Sequence, residues 1–343
     1  MKLTNAIALL SMALIGALPL AAQQAQPQVT LTAIGQLKNA KKLSQVRLLP
    51  PPAIEKGVIS VMNPNPDEAP LALRTKDFRF FIVMTPPELA AASRAYANGD
   101  LKSARRQFAD VRSKYGAFIG IPNNPALQAA RMELDCDVRL MDWAAVGKLA
   151  TDNPGKAFME AEDRVVLDAA RLLSQVSDDP GTADARSKSI EEYLSGAKAK
   201  TINSEVYGWM KYALARAIAS GIPAAELQGG ISEANVERAS LAVDAYCESV
   251  ASNHGRNLEL PVDALKRAFA ILWAMPGVKS YALATKQMDA KRWDGAPQNF
   301  RDAATLAYML ENIFEPGQKD ANIQKAASLH FNRMQGTKQS AAK

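Results

Sequence analysis

The chemistry open to this 343-residue chain is bounded first by its two histidines, His254 and His330, and its two cysteines, Cys136 and Cys247. Neither a His-Glu-x-x-His helix nor a Cys-x-x-Cys turn is present, so the ligand spacing of a zinc site is missing. His254 stands between Asn253 and Gly255 at the end of an apolar-periodic segment, the place of a helix C-terminal cap. A Gly-x-Ser-x-Gly elbow, a phosphate-binding glycine loop and a dinucleotide fingerprint are also missing, which disfavours enzymes built on those chemistries. No catalytic residue, metal ligand or cofactor is assigned.

Carboxylates cluster in Glu133-Leu134-Asp135-Cys136-Asp137 and in Glu160-Ala161-Glu162-Asp163. On a helix, sequence neighbours point in different directions, whereas calcium sites converge several oxygens from a loop; both runs read as solvated faces. Lys291-Arg292-Trp293-Asp294-Gly295 falls between two helical stripes. A Trp flanked by cations there can anchor a partner or stack on a sugar, and Lys291, Arg292 and Trp293 form the candidate partner-binding set. The alternative is a Trp folded back into the helical core.

The elements that position these residues follow from composition and periodicity. Lys2 precedes an uninterrupted apolar and small-residue run from Ala6 to Leu18, the length of a signal-peptide core and short for a membrane span. Pro19 breaks the run, and Ala21-Ala22 before Gln23-Gln24 places the cleavage after Ala22. No cysteine follows, so lipid attachment is not expected. The remaining chain, about 320 residues, has no second long apolar stretch, and no transmembrane span is expected in it. The charge balance, 41 Lys and Arg against 35 Asp and Glu, is dispersed and does not mark a nucleic-acid footprint.

Residues 23–86 contain Pro50-Pro51-Pro52, turn material at Asn63-Pro64-Asn65-Pro66, and two strand candidates, Val58-Ile59-Ser60-Val61 and Phe78-Arg79-Phe80-Phe81-Ile82-Val83. An extended arm with one or two short strands is expected. From Pro86 the apolar period switches to about 3.6 and stays there. Leu89, Ala92 and Tyr96 form one stripe, and Leu101, Ala104, Phe108, Val111 and Tyr115 the next. Between them, Gly99 can close the first helix in a left-handed conformation and Asp100 can cap the second. Similar stripes continue to Ile313, giving about ten helices.

Gly99-Asp100, Ala104 and Phe108 together resemble the helix-turn-helix core of the tetratricopeptide repeat, a unit of about 34 residues. The match is good for one repeat; Ala90, Ala91 and Ala92 stand where bulkier residues are usual. The resemblance implies an all-α solenoid of antiparallel helix pairs over 87–317, capped by a helix and polar tail over 318–343. In such an array Cys136 and Cys247 belong to repeats that do not touch, so no disulfide is expected. It also implies a surface for a protein or peptide partner; with the signal-peptide reading of the N-terminus, the expectation is an exported, non-enzymatic scaffold in the periplasm or at the outer membrane of a Gram-negative-type envelope. Two alternatives stand beside it. One is a structural component of an outer-membrane assembly. The other is a glycan-acting enzyme similar to soluble lytic transglycosylases, with Glu248-Ser249 matching their Glu-Ser pair; within its helical stripe that pair reads more simply as a solvated face.

Overall fold

A computed structural model describes residues 29–341, apart from 64, 66, 154, 197–201, 254–258 and 318. The apolar run Ala6 to Leu18, the cleavage at Ala22 and the cap at His254 lie outside the described residues. Two units divide the chain: the first holds the residues up to Pro86 with Lys114–Asn124, the second Pro87–Ser113 with Pro125–Lys343.

The first unit corrects the expectation of an all-α protein with an extended arm. Five strands, β1 (Leu31–Leu37), β2 (Ser44–Leu49), β3 (Val58–Val61), β4 (Leu71–Arg74) and β5 (Phe78–Val83), form one antiparallel sheet in the order β4-β3-β2-β1-β5. The two strand candidates are β3 and β5. The other three strands are β1, where buried Leu31, Ala33 and Gly35 alternate with half-buried Thr32, Ile34 and Gln36, together with β2 and the short β4. β1, β2 and β3 pair on both sides, which satisfies backbone groups that an arm would leave to water.

β4 and β5 occupy opposite edges of the sheet, yet only the single turn Thr75–Asp77 joins them, so the sheet curls into a half-barrel. Gly35 permits the curl: a Cβ there would lie 2.7 Å from the Phe78 ring, which covers the glycine. Gly57, at a φ of 75°, ties the ends of the unit by donating to the Gly120 carbonyl at 2.8 Å and accepting from the Thr75 N–H at 2.8 Å.

The second unit is helical throughout its described residues. Its helices are α1 (Pro87–Ala97), α2 (Leu101–Lys114), α3 (Pro125–Arg139), α4 (Trp143–Thr151), α5 (Ala161–Leu173), α6 (Ala183–Ser195) and α7 (Ser204–Ser220). They continue as α8 (Ala224–Gly229), α9 (Val236–Ser252), α10 (Glu259–Ala274), α11 (Val278–Ala284), α12 (Ala290–Asp294), α13 (Gln298–Met309) and α14 (Ala321–Ala341). Side-chain caps set several starts: Asp142 accepts from the Ala145 N–H, Asn203 from Val206 and Asp289 from Arg292, at 3.2, 2.9 and 2.9 Å.

The solenoid expectation is also corrected. In a solenoid each repeat meets only its neighbours through a recurring seam. Here α7 is a hub packed by α5, α6 and α9, and it is buried on more than one stripe, from Val206 through Trp209, Met210, Tyr212 and Ala213 to Ala217. One continuous core runs from Leu134 to Leu329. The short helices α8, α11 and α12 break any fixed repeat length. The arrangement is a helical bundle, and it carries a polar network through its centre. Tyr212 Oη donates to Asp263 at 2.5 Å, Arg216 Nη1 donates to Tyr212 Oη at 3.2 Å, and Arg267 Nε reaches Asp263 at 2.6 Å.

Candidate functional site

The first helix pair has the local geometry that its residue types require. Gly99 adopts a φ of 79° between α1 and α2, and Asp100 Oδ1 accepts from the Ser103 N–H at 3.2 Å. Ala104 and Phe108 are fully buried, with the Phe108 ring edge-on to Tyr96 at 6.5 Å.

The carboxylates of α3 are not a solvated face. Their helical spacing divides them between two neighbours. Glu133 and Asp137, four residues apart, meet α2, where Glu133 takes Arg112 at 2.7 Å and Asp137 takes Arg105 at 2.6 Å. Asp135 and Arg139, also four apart, meet α1: the Tyr96 hydroxyl donates to Asp135 while the Arg139 guanidinium lies 5.1 Å over the Tyr96 ring. Burial, reinforced by Asp135, pushes the Tyr96 phenol up to about 12, and burial also raises Asp135. Sequence reasoning missed this cluster, although the two i, i+4 pairs were its available signal.

Beside this cluster opens a cleft of about 600 Å³ whose lining draws on α1, α3, α5 and α7 and on the residues preceding α7. Tyr96, Ala97 and Gly99 form one side; Leu134, Val166 and Trp209 give it an apolar floor, and Arg131, Asn203 and Glu205 supply polar groups. Trp209 is 4% exposed, and its indole Nε1–H has no hydrogen-bond partner among the described residues. A buried donor left unpaired costs about 1 to 3 kcal/mol.

The remaining expected residues fall elsewhere. Trp293 does not stand in an exposed loop; it sits in the one-turn helix α12, 7% exposed, with its ring edge-on to Phe300 at 6.1 Å and to His330 at 5.0 Å. Lys291 and Arg292 are exposed, but Arg292 Nη1 donates to the Gln287 carbonyl at 3.0 Å and so braces its own turn. The Trp is drawn inward because Asp289 caps a short helix whose register turns the ring away from solvent. Glu248 carries an ion pair with Lys211 at 2.7 Å, and this partner holds its carboxyl below the ordinary range. It is therefore ionised at neutral pH and lacks the proton a general acid must give. Its neighbour Ser249 is fully buried and donates to the Gly208 carbonyl at 2.8 Å.

Cys136 and Cys247 are free thiols, and burial pushes them up to about 12 and about 11, so neither is a thiolate at neutral pH. Among the described residues no three His, Cys, Asp or Glu side chains converge as a metal site would need. Nor is any described helix long and apolar enough to cross a membrane. No family model matches the chain, and neither a curated protein nor a solved structure does.

Proposed function

We propose that this protein is an exported binding protein of the cell envelope that holds a peptide segment of a partner in the cleft beside Tyr96 and Trp209. The observation that carries the reading is the cleft of about 600 Å³ itself, whose lining sets the apolar Leu134, Val166 and Trp209 beside the polar Arg131, Asn203 and Glu205. A peptide suits such a lining, because its apolar side chains match the one set and its backbone and polar side chains the other. Tyr96 is pushed to about 12 and is tied to Asp135, so it offers neither a phenolate nor a free acid at the cleft.

Of the pair α1 and α2, which carries the tetratricopeptide-like residues Gly99, Asp100, Ala104 and Phe108, only the end of α1 and Gly99 line this cleft. The pair acts as a single repeat-like unit within a bundle. Export rests on Lys2 and the apolar run Ala6 to Leu18.

The test is equilibrium capture of a randomised peptide library by the wild-type chain and by Ala97→Trp. Ala97 is exposed where it lines the cleft, so the larger ring fills the cleft without entering the core. Enriched peptides should lose tenfold or more in affinity for the variant, by about the 1.4 kcal/mol that separates decades of Kd, at an unchanged melting temperature. Equal capture by both proteins, or no sequence enrichment at all, would refute the cleft as the binding site.

A further inference from the structure

Apolar exposure and positive charge are both concentrated in the sheet unit. Among the described residues, eight of the twelve large apolar side chains that stand exposed lie between Leu37 and Met84. Residues 31–86 also carry eight Lys and Arg against four Asp and Glu. Singly exposed apolar side chains are ordinary on any protein. Here strand pairing gathers several of them at one end of the sheet.

The hairpin between β1 and β2 reads Leu37-Lys38-Asn39-Ala40-Lys41-Lys42-Leu43, and every residue of it is exposed. In the β1–β5 register Leu37 faces Phe78 and Gln36 faces Phe80, and the Lys38 N–H donates to the Asp77 carbonyl at 3.0 Å. The hairpin and the start of β5 therefore share one corner. Leu37, Leu43 and Phe80 stand there 40%, 58% and 41% exposed. Beside them are Lys38, Lys41, Lys42, Lys76 and Arg79, none of which has an ion-pair partner among the described residues. The one acid at this corner, Asp77, is occupied in accepting the Arg74 N–H at 3.1 Å.

Apolar tips set among unpaired cations are complementary to an anionic bilayer. The apolar side chains enter the boundary of headgroups and acyl chains, and the cations meet lipid phosphates. A partner protein of ordinary composition would not call for five uncompensated cations around so small an apolar tip. We propose that the Leu37–Leu43 hairpin and the start of β5 dock this protein peripherally on anionic lipid. The docking is independent of the cleft beside Trp209, whose variants leave it unaltered.

The chain from Gln23 onward contains every described element and omits the apolar run Ala6 to Leu18, which would itself partition into lipid. It should pellet with vesicles of mixed phosphatidylcholine and phosphatidylglycerol, stay in solution with phosphatidylcholine alone, and be released by salt. Lys41→Glu with Lys42→Glu, and separately Leu43→Ser with Phe80→Ser, should each lower the partition coefficient about tenfold or more. All four positions are exposed, so circular dichroism and melting temperature should match the wild type. Equal pelleting with both kinds of vesicle, or unchanged partition of both variants, overturns the proposal. Light scattering that shows a dimer dispersed by Leu43→Ser with Phe80→Ser, without vesicle binding, assigns the corner to a second copy of the chain and overturns it as well.

Discussion

Arg105 on α2 stands 2.6 Å from Asp137 on α3, although Asp137 is only 2% exposed. The contact is short without being aligned as a hydrogen bond, and Asp137 Oδ1 has no hydrogen-bond partner among the described residues. Arg105 is shared, since it also reaches Asp142 at 3.0 Å. Burial therefore outweighs the attraction of Arg105 and raises the Asp137 carboxyl to about 7.

That shift has a defined sign. Between about pH 4, where an unfolded aspartate titrates, and pH 7 the folded chain keeps a proton that the unfolded chain has lost. The stability contributed by this group is full below about pH 4 and is lost as pH rises through about 7. Asp137→Asn removes the titration while Arg105 keeps Asp142. Melting curves of the variant should show a flatter pH dependence over this window than the wild type, with a gain on the order of 1 kcal/mol above pH 7. Parallel pH profiles for the two proteins would count against a raised Asp137.

The turn between α1 and α2 gives a second expectation. Gly99 has a φ of 79° and open space around its missing Cβ, so a substitution there meets backbone strain and no clash. Gly99→Val should lower stability by about 1 to 3 kcal/mol, and Gly99→Asn by much less, because Asn tolerates the left-handed region. Denaturant titrations of the pair measure the difference, and equal losses would point away from the φ angle as the cause.

Trp293 separates a buried role from an exposed one. Its ring rests on Phe300 and His330, with the Arg333 guanidinium 5.3 Å over it. Trp293→Ala should cost about 3 to 5 kcal/mol, as for other large buried side chains. Lys291→Ala, at an exposed neighbour, should stay within about 0.5 kcal/mol. A stable Trp293→Ala protein would show that α12 contributes nothing to the core.

The polar network at the centre of the bundle depends on one hydroxyl. Tyr212 Oη both donates to Asp263 and accepts from Arg216, and burial pushes it up to about 12. Tyr212→Phe leaves the tilted and edge-on ring contacts with Trp143 and Tyr246 in place but removes both bonds. A loss on the order of 1 kcal/mol is expected, since Asp263 keeps Arg267 and Arg216 keeps Asp178. Adding Asp263→Asn should lose less than the two single changes summed, because the partners are shared. A strictly additive double variant would mean that the hydroxyl and the carboxylate act separately.

Local structure was legible in the residues wherever a single element determined it. The stripe of Leu101, Ala104, Phe108 and Val111 specifies one buried face of α2, and the type and place of Gly99 and Asp100 specify the turn before it. β3 and β5 were likewise readable from β-branched and aromatic runs, and the helices from a 3.6-residue period, because both signals arise from neighbours along the chain. The partner of each face is a separate matter. A stripe says that a helix must bury one side but does not say against what, so α7 as a hub, and a bundle in place of a stacked array, came only from tertiary packing. The same limit hid the half-barrel, since β1, β2 and β4 become strands through the neighbours that pair with them. It hid the cleft too: Tyr96 reads as part of one helix stripe and Asp135 as part of a solvated face until α1 and α3 meet, and only that long-range contact brings the Tyr96 hydroxyl to Asp135 and the Arg139 guanidinium over its ring.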